Sequence, residues 1–399
     1  MSQTEVQLIK NGAVVDADIN GMSSSKLSGA LPAISGASLT NLPTPTGKTR
    51  NLIINGAMQV AQRGTSSTAN DYGTVDRFRV VHANTDEAPT QEQVDVASGT
   101  TPYTLGFRKA FKLTNGNQTS GAGTSDIIYM LYTIEAQDVV NSGWNLLSDS
   151  SDITLSFWVK SSVSQNFFGN LVSLDGTAQG FTYETGTLTA NTWTKITKTI
   201  PGNSNIQINN DNGGGLLLEF LIFRGTAQTG SVTLNQWRTY DSSVRNPDMA
   251  STWYTTNDAT FEITGVQLEV GSVATDFEHR SFGQELALCK RYYQQYPENA
   301  GDNYAPIANG RCRSSTQGQC VLLHPSMRSA PSFGFSGDFD FRILHGGDAT
   351  VVSSFDSPHQ SGTATFLRPY VSSGMTLGHA MMLTVNNNAN TRITLSAEL

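Results

Sequence analysis

Phe261–Tyr296 reads FEITGVQLEVGSVATDFEHRSFGQELALCKRYYQQY. Its first part alternates like a β-strand, but in two phases. Phe261 and Ile263 share one face, whereas Val266, Leu268 and Val270 hold the other parity, with Gly265 at the flip. A glycine inside a strand marks a bulge, where one extra residue re-phases the alternation. The second part has helical spacing. Phe282, Leu286, Cys289, Tyr293 and Tyr296 recur at intervals of four, three, four and three, which predicts one apolar helical stripe. Ser281 followed by Gln284 is a capping-box start, and Pro297 is a stop. A strand that closes one β unit therefore runs into a helix that braces a second.

The 399 residues suffice for two or three domains. Only 15% are charged, 37 are glycine, and the net charge is −8. Such a chain suits sheets joined by tight turns rather than a helical bundle. Without concentrated positive charge it offers no footing for nucleic acid or anionic membrane surfaces. No apolar run is long enough to span a bilayer, and Met1–Gly21 has no signal-peptide core, so neither membrane insertion nor ordinary secretion is expected. Cys289, Cys312 and Cys320 are odd in number and read as reduced thiols, although a hairpin would bring Cys312 and Cys320 within reach of each other.

Residues 1–48 contain no aromatic side chain. Leu27, Leu31, Ile34, Leu39 and Leu42 are sparse apolar pegs among Ser, Gly, Ala and Pro. One copy cannot bury enough surface to fold alone. A flexible linker and a stem in which several copies bury the pegs at a shared axis both fit this composition. Residues 50–280 read as an antiparallel sandwich. Asp152–Lys160 is its clearest strand, with Ile153, Leu155, Phe157 and Val159 pointing one way. Leu216–Phe223 is apolar on both faces except at Glu219, as in a central strand covered on both sides. Residues 297–399 read as a smaller β-rich unit of about 100 residues with a thin core.

Neither nucleotide-binding, zinc-protease nor serine-hydrolase motifs occur, and the six histidines lack metal-ligand spacing. No catalytic, cofactor-binding or metal residue is assigned, and no cofactor is expected. Glu262 shares the parity of the second apolar set and Glu269 does not. The two face opposite sides of the sheet unless a bulge at Gly265 re-aims one; we read them as structural rather than as a glycosidase pair. All five tryptophans fall between residues 144 and 253. Trp158 lies opposite the apolar face of its strand. There it either stacks on a sugar ring or packs under a loop or neighbouring subunit.

Several segments resemble bacteriophage tail-fibre and related virion appendage proteins: NLIINGAMQVAQRGTS from Asn51, DRF from Asp76, FWVKSS from Phe157, and TGVQLEVGSVATDFEHRSFGQELALCKRYYQ from Thr264. HPSMRSAPSF from His324, Ala397-Glu398-Leu399 and the peg segment ALPAISGASLTNL continue the resemblance. It implies an all-β fold with four parts. These are an N-terminal extended stem (1–48, with residues 1–20 docking on other virion proteins), a jelly-roll sandwich akin to carbohydrate-binding modules (49–281), a short connecting helix, and a small β-sandwich tip (together 282–399). It also implies a homotrimer, assembled in the host cytoplasm, that is non-enzymatic and attaches to a host surface glycan or protein. The Phe282–Tyr296 stripe would then lie near the trimer axis, or pack on its own sandwich. A head fibre, decoration protein or tail adaptor is the structural alternative, and a glycan depolymerase the enzymatic one. Related jelly rolls place an acidic calcium ligand after an Asn-Gly turn; here Ala57, Met58 and Gln59 follow Asn55-Gly56, which speaks against that site.

Overall fold

The computed structural model describes residues 50–298, 304–337, 340–388 and 390–399. The pegs Leu27, Leu31, Ile34, Leu39 and Leu42, and the docking segment 1–20, lie outside the described residues.

The chain is all-β in its regular structure, with short helices between strands. Two six-stranded antiparallel sheets form the sandwich. The first runs in the order Ser66–Ser67, Thr90–Asp95, Lys109–Thr114, Thr260–Val270, Asp152–Ser161, Thr194–Pro201. The second runs Trp237–Thr239, Gln179–Thr187, Asn166–Ser173, Gly214–Arg224, Ile127–Glu135, Arg79–Ala83. Successive strands pass repeatedly from one sheet to the other, as in jelly rolls. Phe261, Ile263, Val266 and Leu268 meet Ile153, Leu155, Phe157 and Val159 in the core between the sheets. Gly214–Arg224 is central in its sheet. Its outer face is covered by Leu234 and Met249, and its lone acid, Glu219, is buried and accepts from Asn170 Nδ2 at 2.8 Å.

The C-terminal unit is not a small sandwich. Pro306–Cys312, Gly318–Leu323, Ala364–Val371, Asp348–Gln360, Phe341–His345 and Ala380–Val385 close into a barrel. Closure removes the unpaired edges that two small sheets would expose. Cys312 and Cys320 are free thiols inside it. Beside the barrel, Ile393–Ser396 pairs with both Tyr293–Tyr296 and Ser332–Phe335.

The expected long helix is also corrected. It starts at the predicted capping box, with Gln284 N–H donating to Ser281 Oγ and Ser281 N–H to Gln284 Oε1, but it spans only Phe282–Cys289. Tyr293–Tyr296 is a strand. Two tertiary contacts outweigh the helical periodicity. Arg291 forms a bidentate pair with buried Glu135 at 2.7 and 2.8 Å, fixing the turn, and the aromatic-rich YQQY segment then pairs with Ile393–Ser396. The five residues therefore form no single seam. Phe282 is 56% exposed, Leu286 and Tyr296 are half-buried, and Cys289 and Tyr293 are buried within their own chain.

Buried Arg77 and half-buried Arg63 and Arg328 join the sandwich to the C-terminal unit. The Arg77 guanidinium lies 3.5 Å from the Tyr292 ring centroid, donates to the Thr133 carbonyl at 2.6 Å and pairs with Glu398. Arg63 sits 3.6 Å over Tyr293 and binds the other Glu398 oxygen at 3.0 Å. Tyr72 Oη donates to the Leu399 carbonyl at 2.9 Å, and Arg328 Nε to that of Ala397 at 2.9 Å.

Asp76 is buried in this joint and accepts from the Gln62 N–H at 2.9 Å. Burial raises its carboxyl from 3.8 to about 6, against the opposing pull of Arg63 and Gln62. The folded state thus holds this proton more tightly than the unfolded one. Its contribution to stability is greatest below pH ~4 and declines as pH rises towards 6. The shift corresponds to roughly 3 kcal/mol. In urea denaturation, Asp76→Asn should gain on the wild type by roughly 2–3 kcal/mol between pH 4 and 7; parallel pH profiles would refute this linkage.

Candidate functional site

The site is built outward from Gly265. Its φ of 63° is a left-handed conformation open to glycine, and an added Cβ would lie 2.6 Å from the Phe107 ring. The register against Asp152–Ser161 shifts between Thr264 and Gln267. Before the bulge, Thr260–Ile263 pairs with Lys109–Thr114. Beyond it, residues 51–56 take over that side. Val266 N–H donates to the Gly56 carbonyl at 2.9 Å, Leu52 N–H to the Leu268 carbonyl at 2.9 Å, and Asn51 bonds both Val266 and Leu268 through its side chain.

The bulge brings Glu262, Thr264, Gln267 and Glu269 onto one face, the outer one, because their partners Lys160, Trp158, Ser156 and Thr154 share that face. The re-aiming that the sequence left open therefore occurs. Both carboxylates are engaged. Glu262 pairs with Lys160 at 2.9 Å, and a row Glu92–Lys112–Glu262–Lys160 crosses four strands, with Lys112–Glu92 at 2.6 Å. Glu269 is buried and accepts from Gln267 Nε2 at 2.8 Å, Thr275 N–H at 2.9 Å and Thr275 Oγ1 at 2.6 Å. Gln267 also accepts from Glu278 N–H at 2.8 Å. These bonds fold residues 271–281 back over the outer face.

A cleft of about 250 Å³ opens between that loop and the sheet, lined by Leu105, Phe107, Ser156, Trp158, Lys195, Gly265, Thr275, Asp276, Phe277 and His279. Trp158 is half-buried in it, flanked across the sheet by Thr264 and Lys195. Its indole N–H has no hydrogen-bond partner among the described residues. Phe107, Phe277 and His279 form an aromatic wall with centroids 4.9–5.1 Å apart. His279 Nε2 donates to the Leu105 carbonyl at 2.9 Å, which fixes the ring and leaves Nδ1 as its second nitrogen. Trp193 is half-buried on the same face, 5.1 Å from Lys160 Nζ. Aromatic surface beside unpaired polar groups suits a ligand with an apolar ring face and hydroxyl edges.

Trp158 is the one sequence-selected site residue in this cleft. Phe282 and Leu286 line a separate groove with Lys290 and Gln295, while Cys289, Tyr293 and Tyr296 belong to the joint and barrel side. Phe107, Lys195, Phe277 and His279 were not singled out from the sequence, although Phe277 and His279 sit within the quoted stretch. Their usable signal was the pair of outward polar residues, Gln267 and Glu269, which need partners when covered.

No family model matches the chain, and no curated protein matches it. Partial overlaps with solved structures exist. One is the enzymatically active domain of tailspike protein 4 from bacteriophage CBA120, at 13% identity over 55% of this chain and 21% of that one, TM-score 0.31. Another is the family 11 carbohydrate-binding module of Clostridium thermocellum, at 11% identity over 53% and 98%, TM-score 0.24. A third is the N-terminal cellulose-binding domain of Cellulomonas fimi β-1,4-glucanase C, at 10% identity over 54% and 99%, TM-score 0.25. The chain thus spans about a fifth of the tailspike chain. Likeness at these scores transfers no function.

Gly265→Ala should cost about 2 kcal/mol, from backbone strain and the Phe107 contact, and should loosen the cleft. Urea midpoints and the emission maximum of Trp158, in a variant whose other tryptophans are replaced by Phe, check this. An unchanged midpoint would show that the bulge tolerates a side chain.

Proposed function

We propose that this chain is a glycan-binding attachment protein of a bacteriophage appendage, a homotrimeric and non-enzymatic fibre. In this reading residues 1–48 attach to the virion and form the stem, 49–281 bind glycan, and 282–399 form a helix-led tip. The observation that carries it is the half-buried Trp158 in an open cleft, its ring flanked by polar groups and its N–H without a hydrogen-bond partner among the described residues. A sugar ring presents an apolar C–H face to such an indole, and its hydroxyls meet donors and acceptors at the rim. The segments resembling phage fibres supply the setting. Exposed Phe282 beside half-buried Leu286 supports a subunit contact there. Three weak sites on one fibre would multiply their attachment by avidity.

Trp158→Ala should weaken binding to purified host surface polysaccharide at least ~10-fold, a loss of about 1.4 kcal/mol, while Trp158→Phe retains most of it. Circular dichroism should be unchanged in both. Equal binding by a folded Trp158→Ala variant would remove the cleft from the glycan site. Light scattering of the full chain should give three times the 42.9 kDa chain mass; a stable monomer would refute the trimeric fibre.

A further inference from the structure

We infer that the cleft selects acidic sugars, with the anionic substituent held by Lys195 while the ring stacks on Trp158; this rests on the proposed glycan reading. Three lysines stand on the outer face of the first sheet. Lys112 is neutralised by Glu92 at 2.6 Å and Lys160 by Glu262 at 2.9 Å. Lys195 is exposed, has no carboxylate partner among the described residues, and lies directly across the ladder from Trp158. The one row of paired charges, Glu92–Lys112–Glu262–Lys160, is therefore balanced, whereas the adjacent row that holds the tryptophan carries the unmatched ammonium of Lys195. An ammonium is a compact, strongly hydrated charge that suits a single carboxylate or phosphoryl group at the edge of a sugar.

The other charge at the cleft is Asp276, on the covering loop and exposed. Its backbone carbonyl accepts from Gln267 Nε2 and from Arg50, which ties the loop down. Its carboxylate, an acceptor only, can take sugar hydroxyls but opposes an anion. The ligand's negative group therefore belongs on the Lys195 side. The chain's net charge of −8 adds no general attraction for acidic glycans, so the preference depends on this one contact.

The test is binding of the full chain to an array of bacterial surface polysaccharides that includes neutral, uronic acid-bearing and phosphorylated members. Acidic members should bind best. Lys195→Gln should cut their binding at least ~10-fold and flatten its salt dependence, Lys195→Arg should restore it, and Asp276→Asn should tighten it. Carbodiimide reduction of the carboxyl groups in the best binder should mimic Lys195→Gln if the anion is a carboxylate, and leave binding intact if it is a phosphoryl group. Best binding to neutral members, undisturbed by Lys195→Gln, would overturn the acidic preference and leave the glycan site standing. Binding to no member would overturn both.

Discussion

One inserted residue governs the arrangement of this protein. At Gly265 the strand Thr260–Val270 gains a step, and everything beyond that step is re-phased. The step keeps Val266 and Leu268 in the core, although their parity alone would oppose them to Phe261 and Ile263. It frees the flank on which residues 51–56 bind. It also aims Gln267 and Glu269 outward, where their buried polar groups bond each other and a loop folded back across the sheet. The cleft is the space that this loop leaves above Trp158. A side chain at 265 would strain the backbone and strike Phe107, so the bulge and the aromatic wall of the cleft are set by the same glycine.

The second organising element is ionic. Arg77 and Arg63 share Glu398 and lie over consecutive tyrosines, and Arg291 holds Glu135 from the turn between helix and strand. Buried ion pairs contribute little net stability against the alternative of apolar packing, because desolvation offsets their attraction. Their geometric demands are strict, however, and the planar guanidinium fixes both distance and angle. This joint therefore sets how the barrel side meets the sandwich, and does so with contacts that tolerate little displacement.

Much of the sandwich was legible in the sequence, because period-two alternation in Asp152–Lys160 and the parity flip at Gly265 are local signals of burial and bulge. The capping box was equally local, and the helix begins where it says. The end of that helix was not legible. Tyr293 and Tyr296 fit a helical stripe by spacing, and their strand pairing depends on residues about one hundred positions away. Barrel closure is likewise a property of six distant segments and leaves no mark on any one of them. In the site, Trp158 was visible from its parity alone. Lys195, Phe277 and His279 were not, since their meeting depends on a loop whose path is set by the side chains beneath it.

The most direct test is fluorine NMR of the full protein labelled with 5-fluorotryptophan, with each of the five resonances assigned by Trp→Phe replacement. It is titrated with purified surface polysaccharide from a bacterium to which the protein adsorbs. The Trp158 resonance should shift, with a smaller movement at Trp193, while the buried Trp144 and Trp253 stay fixed. A titration in which Trp158 remains still, whether or not another tryptophan moves, would contradict a glycan site in the cleft above the Gly265 bulge.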